Sequence, residues 1–215
     1  MKYEKKAVIF DLDGVICFTD RFHYQAWKAL ADRLGIYFDE TINNRLRGVS
    51  RMASLEIILE RADKEYTEEE KVAFATEKND NYRELLKNMS PADLTSEVKD
   101  TLDELRRRGY RLAIGSSSKN THFILERIGL GNYFDAVADG NDISRSKPDP
   151  EVFLKAAEKL SEAPSDCCVV EDAKAGIEAA RAGGMTALAL FGDAKDCGEE
   201  DYNLKGFSDL LNILP

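Results

Sequence analysis

Near the N-terminus an apolar run ends in two aspartates one residue apart: AVIFDLDG, residues 7–14, with Asp11 and Asp13. Carboxylates this close repel each other, so their place at the end of a buried strand needs a chemical reason. Further on, other apolar runs also give out into polar groups. Ser116, Ser117 and Ser118 are followed by Lys119 and Asn120; Lys147 lies in SRSKPDP; Glu171 and Asp172 end CCVVED. In an open parallel sheet, ligands bind beyond the carboxyl ends of the strands, so these groups converge on one edge. Clustered carboxylates are tolerable around a cation, and oxygen ligands with partial solvation suit Mg²⁺. Lysine and serine donors beside it suit a phosphoryl group. Asp11 can then attack phosphorus, because a carboxylate is already ionised at neutral pH, and Mg²⁺ and Lys147 offset the anion–anion repulsion. The product is an aspartyl phosphate. Asp13 is close enough to trade a proton with the leaving or attacking oxygen.

Elements able to position these residues are visible in the patterning. Strand-like runs recur at AVIF (7–10), YRLAIGS (110–116), AVAD (136–139), CCVVED (167–172) and TALALF (186–191). Helical patterns such as SEVKDTLDELRRRG and PEVFLKAAEKL lie between the later ones. This alternation predicts βαβ units: an α/β fold with a doubly wound parallel sheet. The stretch from about Asp20 to Asn88 differs and reads as helices only: FHYQAWKALADRLG, TINNRLRG, RMASLEIILERA and TEEEKVAFATEKNDNYRELLKN. The last opens on a capping box, Thr67 to Glu70. The expectation is a core of residues 1–18 and 92–215 carrying an inserted helical cap, 19–91, with hinge strands near Thr19 and Pro91.

The bulk numbers set limits. With 215 residues, 43% of them hydrophobic, the chain can bury a sizeable core. A net charge of −10 argues against nucleic acid and anionic lipid as partners. No segment reaches the length of a membrane span, and MKYEKKAVIF lacks the apolar stretch of a signal peptide. Cys17, Cys167, Cys168 and Cys197 form no C-x-x-C pair and read as reduced thiols in a cytoplasmic protein.

DLDGV, SSSKN, SKPDP and VVEDAKAGIEAA, in that order, resemble the signature motifs of the haloacid dehalogenase superfamily of phosphotransferases. The resemblance spans the chain and includes the inserted helical cap on a Rossmann-like core. It implies Asp11 as nucleophile and Asp13 as acid/base. It implies Mg²⁺ held by the Asp11 side chain, the Asp13 backbone carbonyl, Glu171 and Asp172. Ser116 and Lys147 would hold the transferring phosphoryl group. The cap set of His23, Trp27, RGVSR (47–51) and EKNDNY (77–82) is similar to that of β-phosphoglucomutases, which interconvert β-glucose 1-phosphate and glucose 6-phosphate through a bisphosphate. By that likeness Arg51, with Ser118, Lys119 and Asn120, grips the non-transferring phosphate. His23 and Lys78 recognise substrate and position the acid/base. Thr19 is the hinge threonine, and Trp27, Val49 and Ser54 line the pocket. The sequence departs from the pattern at Phe18, where many relatives have aspartate, and at Thr95-Ser96, where many have a Pro-Gly turn. Both changes lie at the hinge.

A mutase needs two phosphate sites and a lid that keeps water from the aspartyl phosphate. The expected protein is therefore a monomeric mutase acting on small sugar phosphates. The competing reading is a sugar-phosphate phosphatase on the same fold, with water as acceptor. A signalling receiver domain is disfavoured, since its phosphorylated aspartate follows the third strand. Plainer roles exist for single residues. Asp11 and Asp13 fit a turn, Glu171 and Asp172 fit a helix cap, and Lys147 and Lys78 fit surface lysines. His23 fits an ordinary histidine and Trp27 a core residue of the cap.

Overall fold

The computed structural model describes residues 5–46 and 49–215. Arg47 and Gly48 of the RGVSR stretch lie outside the described residues. The chain divides into two compact units: Met1–Phe18 with Ser90–Pro215, and Thr19–Met89.

The first unit is built on a six-stranded parallel sheet. Its strands are β1 (Ala7–Phe10), β2 (Arg111–Gly115), β3 (Ala136–Ala138), β4 (Cys167–Glu171), β5 (Thr186–Ala189) and β6 (Tyr202–Asn203). Their order is β3-β2-β1-β4-β5-β6. Because β1 is central, with β2 and β4 on either side, its four residues are buried on both faces. A run of Ala, Val, Ile and Phe with no polar residue is what such a strand requires. The order reverses direction at β1, which makes its carboxyl end the switch point.

Helices cover both faces. On one, α7 (Glu151–Leu160) and α8 (Lys174–Ala182) pack on Ala7, Ile9, Ala113, Cys167, Val169 and Ala187. On the other lie α5 (Ser96–Arg107) and the C-terminal α9 (Leu210–Ile213), where Phe10 stacks on Phe207 at 5.6 Å between centroids. Helix α6 (Thr121–Arg127) follows β2.

The second unit is all helical: α1 (Asp20–Leu34), α2 (Glu40–Asn44), α3 (Arg51–Leu59) and α4 (Glu68–Leu86). Its core joins Trp27, Leu30, Ile36, Phe38, Ile42, Leu55, Ile58 and Ala75. The capping box is formed: Thr67 Oγ1 accepts from Glu70 N at 3.2 Å and Glu70 Oε2 accepts from Thr67 N at 2.8 Å. At the return to the first unit, Ser90 and Asp93 cap a short 3₁₀ turn at Pro91, and Thr95 then caps α5. Thr95 and Ser96, which depart from the family pattern, form the start of α5. Among the described residues no helix is long and apolar enough to cross a membrane, and the four cysteines are free thiols.

Candidate active site at the carboxyl edge of the sheet

Asp11 leaves β1 directly and stays tied to the neighbouring strand, its N–H donating to Val170 O at 3.0 Å. The chain then folds tightly through Gly14, whose N–H donates to Cys17 O at 2.8 Å. Gly14 has φ +89°, and a Cβ there would lie 2.1 Å from Asp172 Oδ2. Only glycine allows that loop to cross the Asp172 carboxylate so closely.

Lys147, from the loop after β3, joins the groups. Its ammonium donates to Asp11 Oδ1 and to Glu171 Oε1, each at 2.5 Å, and lies 4.6 Å from the Phe153 ring centroid. Glu171 is held at both oxygens, because Oε2 accepts the N–H groups of Asp172 and Ala173 at 3.0 and 3.1 Å. Asp11, Lys147 and Glu171 are all buried. Lys147 is therefore no surface lysine. At the start of α8 the Lys174 N–H donates to Asp193 Oδ1 at 2.8 Å.

The electrostatics are unbalanced. Burial pushes the Asp11 carboxyl well above the ordinary range; Lys147 opposes this, while Glu171, Asp172 and Asp13 add to it. Burial alone would depress Lys147, but the charges of Asp11 and Glu171 outweigh it and raise the ammonium. One lysine thus faces several desolvated carboxylates. Asp11, Glu171 and Asp172 each offer an oxygen within 4.8 Å of the others, a hard, anionic donor set suited to a divalent cation.

The hydroxyl cluster lies at the end of β2. Ser116 is buried, its N–H donating to Ala138 O at 3.1 Å, and its Oγ accepts from Ser118 N at 3.2 Å. Ser118 Oγ accepts from Asn120 N at 3.2 Å; Asn120 is buried and Lys119 exposed.

In the helical unit, His23 and Trp27 lie on α1 and Lys78 on α4. Lys78 Nζ is 2.9 Å from His23 Nδ1 and 4.6 Å from the Trp27 ring centroid. Only 3% of Lys78 is exposed, so it is no solvated lysine on a charged helix. Trp27 fills the unit's core and faces this cation as well. Burial, then the charges of Lys78 and Arg51, hold His23 well below its ordinary 6.5. Arg51 is the first residue of α3 and partly buried; burial lowers its guanidinium, against Asp80 and Tyr82. Ser54 is buried on α3 and Val49 is exposed. Thr19 is fully buried ahead of α1, its carbonyl accepting from Phe22 and His23 N–H at 2.8 and 3.1 Å.

Sequence reasoning missed several residues of these clusters. Gly176 is one: a Cβ there would lie 2.0 Å from Glu171 Oε1. Its signal was a lone glycine inside the alanine-rich AKAGIEAA helix, where alanine would be favoured by about 1 kcal/mol. Phe153, beneath Lys147, and Tyr82, beside Lys78, carried only the pattern of core residues.

Residues 5–184 match the family model of haloacid dehalogenase-like hydrolases. The chain is 40% identical to a β-phosphoglucomutase of Bacillus subtilis, over 95% of this chain and 91% of that one. It is 36% identical to a fructose-1-phosphate phosphatase of Escherichia coli, over 86% and 97% of the two chains. It superposes on the crystal structure of a Clostridium difficile β-phosphoglucomutase with a TM-score of 0.88 at 36% identity, covering 96% and 93%. The motifs, the parallel sheet and these relatives agree: the chain belongs to the haloacid dehalogenase-like hydrolase family, in its β-phosphoglucomutase branch.

Proposed function

We propose that this protein is a phosphosugar mutase interconverting β-D-glucose 1-phosphate and D-glucose 6-phosphate. The observation that carries phosphoryl chemistry is the buried Lys147 bridging Asp11 and Glu171 beside Asp172. Similarity to a mutase along 95% of the chain supports transfer to a sugar over transfer to water.

Asp11 is the nucleophile. An Asp11 oxygen, carrying the phosphoryl group, yields it to a sugar hydroxyl while Asp13 takes the hydroxyl proton. The bisphosphate turns over. Asp11 then attacks the other phosphorus, the P–O bond to the sugar breaks, and Asp13 returns the proton to the departing oxygen. Lys147 and Ser116 hold the phosphoryl oxygens. Mg²⁺, held by Asp11, the Asp13 carbonyl, Glu171 and Asp172, would neutralise charge at the phosphoryl group when bound. The helical unit, residues 19–89, is the cap of this reaction, with Thr19 at its hinge. Arg51, Ser118, Lys119 and Asn120 grip the non-transferring phosphate. His23, Lys78, Trp27, Val49 and Ser54 serve substrate recognition. The protein works as a cytoplasmic monomer.

Identity of 36% to a phosphatase favours a second reading, hydrolysis by the same core. A product assay with Mg²⁺, β-glucose 1-phosphate and a trace of glucose 1,6-bisphosphate separates them. Glucose 6-phosphate supports the mutase; free phosphate alone supports the hydrolase.

A further inference from the structure

The helical unit buries a lysine inside an aromatic box. The Lys78 ammonium lies 4.6 Å from the ring centroids of both Trp27 and Tyr82. Tyr82 also stacks on the His23 imidazole, centroids 4.1 Å apart at 28°. The same ammonium is 2.9 Å from His23 Nδ1. Lys78 and Tyr82 are one helical turn apart on α4, and His23 and Trp27 one turn apart on α1, so two short helix stretches bring these four residues together.

An ammonium has donors and no acceptor, so at this distance Nδ1 must be the acceptor. A neutral imidazole that accepts at Nδ1 carries its proton on Nε2. The rings matter because an ammonium shut away from water needs compensation, and two π faces supply it without neutralising the charge.

We propose that Tyr82 and Trp27 are positioning residues that hold Lys78 charged against His23 Nδ1, and so lock His23 as the Nε2–H tautomer. His23 then presents a fixed donor on the ring edge opposite Lys78, suited to a sugar hydroxyl or phosphate oxygen. The functional part of this inference rests on His23 facing substrate; the tautomer does not.

The test reads the two parts separately. ¹⁵N-resolved NMR of the full chain, without substrate, reports the proton on each imidazole nitrogen. His122, the other histidine, is assigned with His122→Gln. The wild type should show His23 as neutral Nε2–H from about pH 6 to 8. Among the described residues, Lys78, Arg51, Tyr82 and Asp80 are titratable groups that act on this cluster. Tyr82→Phe, which keeps the ring, should retain the pattern. Tyr82→Leu, if folded by circular dichroism, should mix the tautomers and cut kcat/KM for the sugar phosphate about three- to thirty-fold. Should Tyr82→Leu not fold, Trp27→Phe and Lys78→Met carry the test, with the tautomer kept in the first and lost in the second. An Nδ1–H or doubly protonated His23 in the wild type would overturn the proposal. So would an unchanged His23 spectrum in folded Tyr82→Leu or Lys78→Met. If the spectra behave as stated but sugar-phosphate turnover is absent throughout, the tautomer lock stands and the mutase reading falls.

Discussion

Each unit of this protein buries a lysine, and the two are compensated by opposite means. Lys147 is surrounded by carboxylates: Asp11 and Glu171 in direct contact, with Asp172 beside them. Lys78 touches an imidazole nitrogen and the faces of Trp27 and Tyr82. The first cluster has more negative than positive charge and calls for a further cation. The second sets its lysine against an imidazole nitrogen and two aromatic faces. Phosphoryl transfer between two sugar oxygens needs one place that reacts with a phosphate and, as proposed for Arg51, another that only holds one. Burying the same side chain in two different environments makes the difference.

The comparison breaks most severely at Asp11. Asp11→Asn should abolish turnover, by about four orders of magnitude or more, because an amide cannot attack phosphorus. Its circular dichroism should match the wild type, and near-normal activity would exclude the nucleophile role.

Removing Lys147 tests the carboxylate-rich side. Lys147→Ala leaves Asp11 and Glu171 buried without their cation. Breaking such a pair costs about 3–5 kcal/mol, read as a Tm lower by about 6–20 °C. Added Mg²⁺ should recover part of that loss by binding the folded state. A Tm unchanged by the mutation and indifferent to Mg²⁺ would contradict the charge imbalance.

Arg51→Ala tests the holding side. A charge-assisted bond contributes about 1.5–3 kcal/mol, so mutase flux should fall about ten- to a hundred-fold. Slow release of free phosphate should stay level or rise. Glucose 6-phosphate and phosphate measured in parallel decide it; both unchanged would make Arg51 only the first residue of α3.

The smallest effect is on pH stability. His23 is held below its ordinary 6.5 by burial and by Lys78 and Arg51. The folded form therefore favours neutral His23, whereas the unfolded chain takes up a proton as pH falls through 6.5. His23 thus contributes stability that is present above 6.5 and lost below it. The loss is up to about 1.4 kcal/mol per pH unit until the folded value is reached. Urea midpoints of wild type and His23→Gln should diverge on acidification, with the wild type losing more; parallel midpoints would contradict the lowered histidine.

Legibility in the sequence followed the range of the signals. β1 and β4 were plain, because apolar runs bounded by acids leave little else to form. The convergence of Asp11, Lys147, Glu171 and Asp172 followed from one topological rule applied to strand ends. The two-residue β6 was missed, since two residues have no period. The TINNRLRG helix stops at Asn44, shorter than its pattern suggested. The burial of Lys78 was hidden because EKNDNYREL reads as a solvated face. What buries it is Trp27, 51 positions back in the chain. Periodicity reports one helix's own faces and says nothing of which neighbour covers a charged one.

The central claim is that Asp11 carries a phosphoryl group on its way between two sugar oxygens. The direct measurement incubates the protein with Mg²⁺ and glucose 1,6-bisphosphate, traps the acyl phosphate by borohydride reduction, and maps the modified residue by mass spectrometry. The account predicts modification at Asp11, none in Asp11→Asn, and its disappearance when β-glucose 1-phosphate is added before the trap, with glucose 6-phosphate formed. Modification at another residue, or loss of the phosphoryl group as free phosphate with no glucose 6-phosphate formed, would contradict it.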